Sequence, residues 1–394
     1  MQGCIYNNSI LDGHRSLQYR NPPKFDIKLS RILGQGDKSL TLLKITETGL
    51  RAGIIFSLLS LVLLSHFEYT RNNIQKIRAR GPVWAALCGA QRGRRGVRPA
   101  QLEEEKTMKT GLVLEGGAMR GMFTAGVTDV LMEHGVTFDG AVGVSAGAVF
   151  GCNYKSHQPG RVIRYNLAYC NDRRYASLKN WLRTGDVYSE TFCYHEIPEH
   201  LDPFDTETFR NSPMEFYVVC TDLRTGSPIY HKCRTGDADD LRWMQASASM
   251  PLAARVVKIG PYSLLDGGVA DSIPVRFFES IGYRRNVIIL TQPKGYEKKK
   301  NKLLPLMQAR LFRYPAFLAA AADRHERYNE TLGYIAMQEE AGTALVIRPP
   351  VPLEIGAVER DPIQLRRVYE TGRAVAEKQL DRVQEFLASA KATE

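Results

Sequence analysis

The sequence contains a serine placed where nucleophilic chemistry is possible. Ser145 is the centre of Gly143-Val144-Ser145-Ala146-Gly147, a G-x-S-x-G motif that follows a short apolar segment and precedes a helical one. In a strand-to-helix turn of this kind the serine is presented above the sheet edge, and glycines let the strand and the helix approach closely. The N-terminus of the helix favours a developing negative charge. The motif therefore predicts Ser145 as a nucleophile.

A carboxylate with a similar setting lies further along the chain. Asp266 ends the apolar run 262–265 and is followed by Gly267 and Gly268. An α/β sheet places its site groups at the carboxyl ends of strands, so Asp266 is a candidate catalytic group. The alternative interpretation is an aspartate that caps an ordinary turn.

A second glycine-rich loop precedes the serine. It is Gly116-Gly117-Ala118-Met119-Arg120-Gly121, between a predicted strand at 111–115 and a predicted helix at 120–134. Backbone N–H groups that point out of a helix N-terminus can bind an oxyanion. The loop lacks the Lys-Ser/Thr pair of a P-loop, and Ala118 replaces the glycine of a dinucleotide motif. We interpret it as an oxyanion loop rather than a phosphate cradle.

Local patterns leave two candidates for the residue that takes the serine proton. A conventional Ser-His-Asp triad needs a histidine, and only His325 follows the Asp266 region. His325 lies in the charged segment DRHERYN, where a solvent-facing position is the usual one. A triad through His325 stays open as an alternative.

Composition limits the other classes of function. The chain has 394 residues and a formal net charge of +11, but residues 1–107 contribute 17 Lys+Arg against 8 Asp+Glu, and the remainder is nearly neutral. We therefore expect no nucleic-acid partner. The seven cysteines form no CxxC pair, and the eight histidines form no HExxH, so we predict reduced thiols, a cytoplasmic location and no metal site.

The N-terminal extension 1–107 differs from the rest in composition. It is basic and has one apolar run, 52–65, of 14 residues, shorter than the roughly 20 that span a bilayer as a helix. It is interpreted as a disordered tail, as a weak membrane anchor at 52–65, or as upstream sequence read from a start codon set too early. The third is favoured because Met108 stands just before the first predicted strand.

Beyond residue 107 the pattern is that of an α/β protein. Further apolar strands are predicted at 214–221, 256–259, 262–265 and 286–290, with helices between them. From residue 303 the chain is mainly helical, with one strand at 344–348 and a helix that begins at Pro362 after Asp361. No pattern indicates an oligomeric state.

Taken together, the motifs resemble those of the patatin-like phospholipase family, in particular its bacterial members. The resemblance covers about 109–290 and rests on the loop ending in Arg120-Gly121, the G-x-S-x-G, the D-G-G at 266–268 and the segment ASASMPLAA at 246–254. It implies a three-layer α/β/α hydrolase core at 109–290 and a helical accessory region at 303–394. One position differs, because many members have glycine where this chain has Ala118.

The resemblance also implies a mechanism. Ser145 is the nucleophile and Asp266 the base, with no histidine and no cofactor, and the loop 117–120 supplies the oxyanion donors. We expect a serine hydrolase that cleaves carboxylic esters of phospholipids or related lipids through an acyl-enzyme, and that works at a peripheral membrane surface. Besides the His325 triad, a non-catalytic lipid-binding protein with the same fold is the second alternative.

Overall fold

The computed structural model describes secondary structure for residues 28–29, 43–44 and 108–391, and side chains for 108–389. The chain divides into two units, Met1–Ala100 and Gln101–Glu394. In the first unit, β1 (Lys28–Leu29) pairs antiparallel with β2 (Leu43–Lys44). The apolar run 52–65 and the other predictions for 1–107 lie outside the described residues.

The second unit alternates strands and helices. Its strands are β3 (Lys109–Leu114), β4 (Gly140–Val144), β5 (Glu215–Asp222), β6 (Pro228–Cys233), β7 (Val257–Ile259), β8 (Tyr262–Asp266), β9 (Tyr283–Ile289) and β10 (Ala344–Ile347). Its helices are α1 (Gly121–Glu133), α2 (Ala146–Lys155), α3 (Arg161–Tyr169), α4 (Leu178–Thr184), α5 (Thr206–Asn211), α6 (Ala238–Ser247), α7 (Val275–Ser280), α8 (Leu304–Leu311), α9 (Pro315–Ala322), α10 (Arg324–Glu340) and α11 (Pro362–Lys391). A π-helix spans Phe192–Leu201, and 3-10 turns span Ala118–Arg120 and Gly267–Val269.

These elements form one mixed sheet. The strand order is β10-β9-β3-β4-β5-β8-β7, and β6 pairs with β5 away from this path. The strands from β10 to β5 are parallel, as expected when helices connect them, whereas β6, β7 and β8 are antiparallel to their neighbours. Each apolar strand predicted from the sequence is present, with ends that differ by a few residues, and the α/β class is confirmed.

Strand β5 decides where the site lies. Its pairing with β6 runs from Phe216 to Thr221 and occupies one edge of β5. On the other edge, β5 pairs first with β4, whose last pair is Val144 with Val219. It then pairs with β8, whose first pair along β5 is Asp266 with Cys220. Strands β4 and β8 therefore meet end to end beside β5, and the carboxyl end of each is at the junction.

The sheet separates two apolar cores, because alternate side chains of a strand point to opposite faces. One core joins strand residues such as Leu112, Leu114 and Ala141 to α1, α2 and α11. The other joins Val113, Val142 and Val144 to α7 and α10. The result is the three-layer α/β/α arrangement expected from the sequence. Among the described residues, no helix is both long enough and apolar enough to cross a membrane.

Helix α11, from the C-terminal region, packs directly on α1. A Cβ on Gly126 would lie 2.1 Å from the carbonyl oxygen of Tyr369, and one on Gly372 would lie 2.1 Å from that of Phe123. The Tyr369 hydroxyl donates to Asp129 at 2.7 Å. The two helices thus touch through their backbones, and α11 forms part of the core layer.

This contact predicts that one methyl group added at the helix interface destabilises the protein. Gly126→Ala or Gly372→Ala should lower the free energy of unfolding by about 1–3 kcal/mol, since the added Cβ overpacks the interface. The matched control is Gly333→Ala in α10, where a Cβ meets nothing within 4 Å. There helix propensity should raise the stability by about 0.5–1 kcal/mol. Urea denaturation of the three full-length variants measures both effects. Equal free energies of unfolding for all three would contradict the backbone contact.

Candidate active site

Ser145 occupies a strained turn between β4 and α2. Its φ of 55° and ψ of −121° lie in a region that residues with a side chain rarely adopt. The turn is tight enough that a Cβ on Gly143 would lie 2.3 Å from the Gly147 oxygen, and one on Gly147 would lie 2.5 Å from the Leu114 oxygen. Both predicted elbow glycines are therefore required by sterics, and α2 begins immediately after the serine.

Asp266 is held at the end of β8 by its own turn. Its Oδ1 accepts a hydrogen bond from the Gly268 N–H at 2.8 Å, and its carbonyl oxygen accepts one from Thr221 Oγ1 at 2.8 Å. A Cβ on Gly267 would lie 2.0 Å from the Val219 oxygen, so this glycine lets the turn approach β5. The second carboxylate oxygen is left free to face the serine.

The structure brings the two side chains together. Ser145 Oγ donates to Asp266 Oδ2 at 2.7 Å, and both residues are only 6% exposed. Burial raises the pKa of the Asp266 carboxyl, and the charge of Arg324 and the hydrogen bond from Ser145 oppose that rise. A carboxylate with a raised pKa is a stronger base than an exposed aspartate.

The predicted oxyanion loop lies beside this pair because β3 and β4 are adjacent and parallel. A Cβ on Gly116 would lie 3.0 Å from Ser145 Cβ, and one on Gly121 would lie 2.8 Å from Ala146 Cβ. No described residue accepts a hydrogen bond from the N–H of Gly116 or Gly117. These donors, together with the first N–H groups of α2, are available to an oxyanion.

The loop contains the one departure from the family pattern. Ala118 has a φ of 49°, which falls in the left-handed region. Glycine is the usual residue there because a Cβ is strained in that conformation. Ala118 therefore carries a methyl group in a conformation that favours glycine. Met119 is buried behind the loop, and Arg120 begins the path into α1.

Ser247 is a positioning residue that sequence reasoning missed. Its hydroxyl accepts a hydrogen bond from the Ser145 N–H at 2.9 Å and donates to the Val219 oxygen at 2.6 Å, and the side chain is fully buried. In the sequence, the segment 246–254 shows only a resemblance to the family. Position 247 could not be singled out because its partners lie far away in the sequence.

Two cavities reach the serine. One, with a volume of about 120 Å³, is mainly apolar and is lined by residues such as Val149, Phe150 and Met244. The other, about 260 Å³ and called the polar cavity below, has a lining that is about half polar and includes Asp266 and three cationic side chains. Ala118 and Ser145 line both, so Ser145 lies where the two cavities meet.

His325 does not approach the pair. Its Nδ1 lies 3.0 Å from the Ala322 oxygen, and its Nε2 lies 3.7 Å from Glu326. Within residues 108–389, the structure gives it no hydrogen bond to Ser145 or Asp266. The histidine of the alternative triad is therefore engaged elsewhere.

One cluster has the residue types of a metal site. His231, Cys233 and Asp240 have potential ligand atoms within 4.8 Å of one another. However, Asp240 Oδ2 already accepts N–H groups from 234, 235 and 236, and its Oδ1 lies 3.3 Å from His231. The carboxylate thus organises the turn that follows β6.

Comparison with known proteins shows what the chain is similar to. The model of the patatin-like phospholipases matches residues 112–278, and a domain of unknown function (DUF6363) matches 314–388. YjjU, an uncharacterized protein of Escherichia coli, is 26% identical over 285 residues, which are 70% of this chain and 78% of YjjU. Lysophospholipase nte1 of Aspergillus terreus is 29% identical over 227 residues, which are 56% of this chain and 14% of nte1.

Among solved structures, VipD from Legionella pneumophila matches with a TM-score of 0.36 and 13% identity, over 70% of this chain and 67% of that one.

The Ser247 contacts predict that removal of the Ser247 hydroxyl makes Ser145 less reactive, although Ser145 itself is unchanged. Ser247→Ala leaves the buried Ser145 N–H without its acceptor, which should cost about 1–3 kcal/mol of stability. It should also slow labelling of Ser145 by a fluorophosphonate probe. Ser249→Ala is the matched control, since Ser249 Oγ donates only to the Gln245 oxygen of its own helical turn. Equal labelling rates for the two variants would contradict the positioning role.

Proposed function

From the match of residues 112–278 to the patatin-like phospholipase family, we propose that this chain hydrolyses fatty-acyl esters of phospholipids or lysophospholipids with a Ser145–Asp266 dyad. The observation that carries the proposal is the 2.7 Å hydrogen bond from Ser145 Oγ to Asp266 Oδ2. The hydroxyl proton already points at the carboxylate that is to receive it. The name of the nte1 relatives, lysophospholipase, supports the same class of substrate.

In the first half of the reaction, Ser145 Oγ attacks the ester carbonyl carbon while its proton moves to Asp266 Oδ2. The carbonyl electron pair moves to oxygen, and the loop at 116–118 and the N-terminus of α2 donate hydrogen bonds to that oxyanion. When the tetrahedral intermediate collapses, the bond to the alcohol breaks. The alcohol leaves with the proton from Asp266, and the acyl group stays on Ser145.

In the second half, water repeats these steps. Asp266 takes a proton from the water as it attacks the acyl-enzyme, and returns that proton to Ser145 Oγ when the fatty acid departs. One carboxylate thus serves as base and then as acid in each half. This requires a pKa above that of an exposed aspartate, and the burial of Asp266 is consistent with that requirement.

The apolar cavity suits the acyl chain. It begins at Ser145 and Ala118 and continues along α2 past Val149 and Phe150 toward Met244 of α6. An ester carbon held at Ser145 would direct its alkyl chain into this cavity, where burial of each CH₂ contributes about 0.8 kcal/mol. Binding energy from the chain would thereby fix the carbonyl against the nucleophile.

Removal of either member of the dyad is expected to abolish turnover. Ser145→Ala and Asp266→Asn should each reduce kcat for hydrolysis of a lysophospholipid by about 10⁴-fold. His325→Ala is the control and should keep the wild-type rate. Release of fatty acid, measured with purified full-length protein, reports all three. Retained activity in Asp266→Asn with loss in His325→Ala would favour the triad, and absence of both turnover and probe labelling in the wild type would favour a lipid-binding protein.

The raised pKa of Asp266 predicts the acid side of the pH profile. Only the ionised carboxylate can take the serine proton, so kcat/KM should fall with decreasing pH around a pKa above that of an exposed aspartate. The charge of Arg324 lowers this pKa, and Arg324→Met should therefore shift the acid limb to still higher pH. The exposed Arg313→Met is the charge-matched control. An unchanged limb in Arg324→Met would contradict Asp266 as the titrating base.

A further inference from the structure

Three cationic side chains converge on the polar cavity that opens at the dyad. They are Arg120, which follows the oxyanion loop, Lys298 in the segment after β9, and Arg324 at the start of α10. Lys298 and Arg324 lie outside the residues 112–278 that match the family model. Arg324 lies within the segment 314–388 that matches DUF6363. The cavity therefore combines residues of both matched segments with Lys298, which lies between them.

None of the three cations forms an ion pair with a described residue. Within the described part of the chain, no Asp or Glu oxygen lies within 4.0 Å of their nitrogen atoms. Arg120 Nε is buried without any hydrogen bond, and Arg324 Nε reaches only Ser272 Oγ, at 3.3 Å. Lys298 Nζ lies over the Tyr328 ring, 4.4 Å from its centroid.

The two acidic groups of the cavity are already engaged. Glu115 accepts hydrogen bonds from the Thr291 N–H at 2.6 Å and from the Tyr328 hydroxyl at 2.7 Å. Asp266 accepts from Ser145 and from the Gly268 N–H. These hydrogen bonds come from uncharged donors, so the lining of the cavity has three cationic side chains against two acidic ones.

The cations also act on one another. The pKa of Lys298 is lowered to about 8, mainly by burial and then by the positive charges of Arg324 and Arg120, while Glu115 and Asp266 oppose the change. Partly buried like charges are costly to hold together unless an anion joins them. An anionic ligand would remove this cost.

The fold nevertheless holds the cations in place. The backbone N–H of Lys298 donates to Asn329 Oδ1 at 2.8 Å, and its carbonyl oxygen accepts from Asn329 Nδ2 at 3.0 Å. Arg324 Nη2 lies so close to Gly268 that a Cβ there would come within 3.0 Å of it. Arg324 is therefore positioned against the turn that carries Asp266.

We propose that Lys298 and Arg324, with Arg120, bind a phosphate group on the alcohol side of the ester that Ser145 attacks. The inference rests on the proposed function and names the side chains that bind the phosphate group of its substrate. The acyl chain occupies the apolar cavity, the carbonyl carbon lies at Ser145, and the glycerol phosphate extends into the polar cavity. Charge-assisted hydrogen bonds to phosphate then set the preference over neutral glycerides.

The test compares two substrates that share one acyl chain, 1-palmitoyl-glycerol-3-phosphate and 1-palmitoylglycerol, each in nonionic mixed micelles with full-length protein. The ratio of their kcat/KM values is the readout, because a change at Arg324 also affects Asp266. Lys298→Met and Arg324→Met should each lower this ratio by at least about tenfold. Lys298→Arg, which keeps the charge, should retain most of it.

Two charge-matched controls accompany these variants. Lys300→Met and Arg313→Met remove exposed cations of nearby segments and should leave the ratio within about twofold of the wild type. A wild-type ratio near one, or a ratio that the Lys298 and Arg324 variants leave unchanged, would overturn the assignment. A fall of the same size in the controls would indicate a general surface-charge effect and would also overturn it.

A binding measurement separates this inference from the proposed function. Full-length Ser145→Ala, titrated with the same two lipids, should bind the phosphate-bearing one more tightly. The double variant that also carries Lys298→Met should lose this preference. If neither ester is hydrolysed but this preference is present, the proposed function fails and the phosphate site stands. Equal binding of both lipids overturns the site. Competition by inorganic phosphate without any lipid preference would assign the cations to a free anion and overturn the head-group assignment.

Discussion

The meeting of Ser145 and Asp266 depends on which strands pair with each edge of β5. Because β6 occupies one edge of β5, β4 and β8 must divide the other, and they meet where Val144 pairs with Val219 and Asp266 with Cys220. The residue after β4 is Ser145, and the last residue of β8 is Asp266. Successive backbone positions of a single buried strand thus bring together two side chains that are 121 residues apart in the sequence.

Local patterns were sufficient for the parts of the site that depend on neighbouring residues. The strands, the turn at 143–147 and the turn at 266–268 follow from apolar runs that end in glycine. The adjacency of the loop at 116–121 to Ser145 results from the parallel pairing of β3 and β4. What the sequence could not show is the end-to-end meeting of β4 and β8, since an antiparallel hairpin that joins a parallel sheet has no local signature.

The same limit applies to the supporting contacts. Ser247 and Thr221 fix the two turns through hydrogen bonds that span the sheet. Gly126 and Gly372 allow α11 to complete the core, although a glycine in a helix is locally unfavourable. The approach of Lys298 and Arg324 to the cavity depends on how α10 packs against the sheet. The alternatives left open for 1–107 concern residues outside those described.

Strain is concentrated where the reaction is proposed to occur. Ala118 and Ser145 both have positive φ, and each carries a backbone cost of order 1–3 kcal/mol that the surrounding packing must offset. The buried strands on either side of the two turns supply that packing. A fixed backbone holds the N–H groups of the loop and the Ser145 hydroxyl at constant positions relative to each other, which an oxyanion site requires.

The most direct measurement is a crystal structure of the full-length protein after reaction with a long-chain alkyl fluorophosphonate. We expect phosphorus bonded to Ser145 Oγ, the alkyl chain in the apolar cavity, a phosphoryl oxygen facing the N–H groups at 116–118, and the Asp266 carboxylate within about 3.5 Å of Ser145 Oγ. An adduct on another residue, or a histidine in place of Asp266 beside the modified serine, would contradict the dyad.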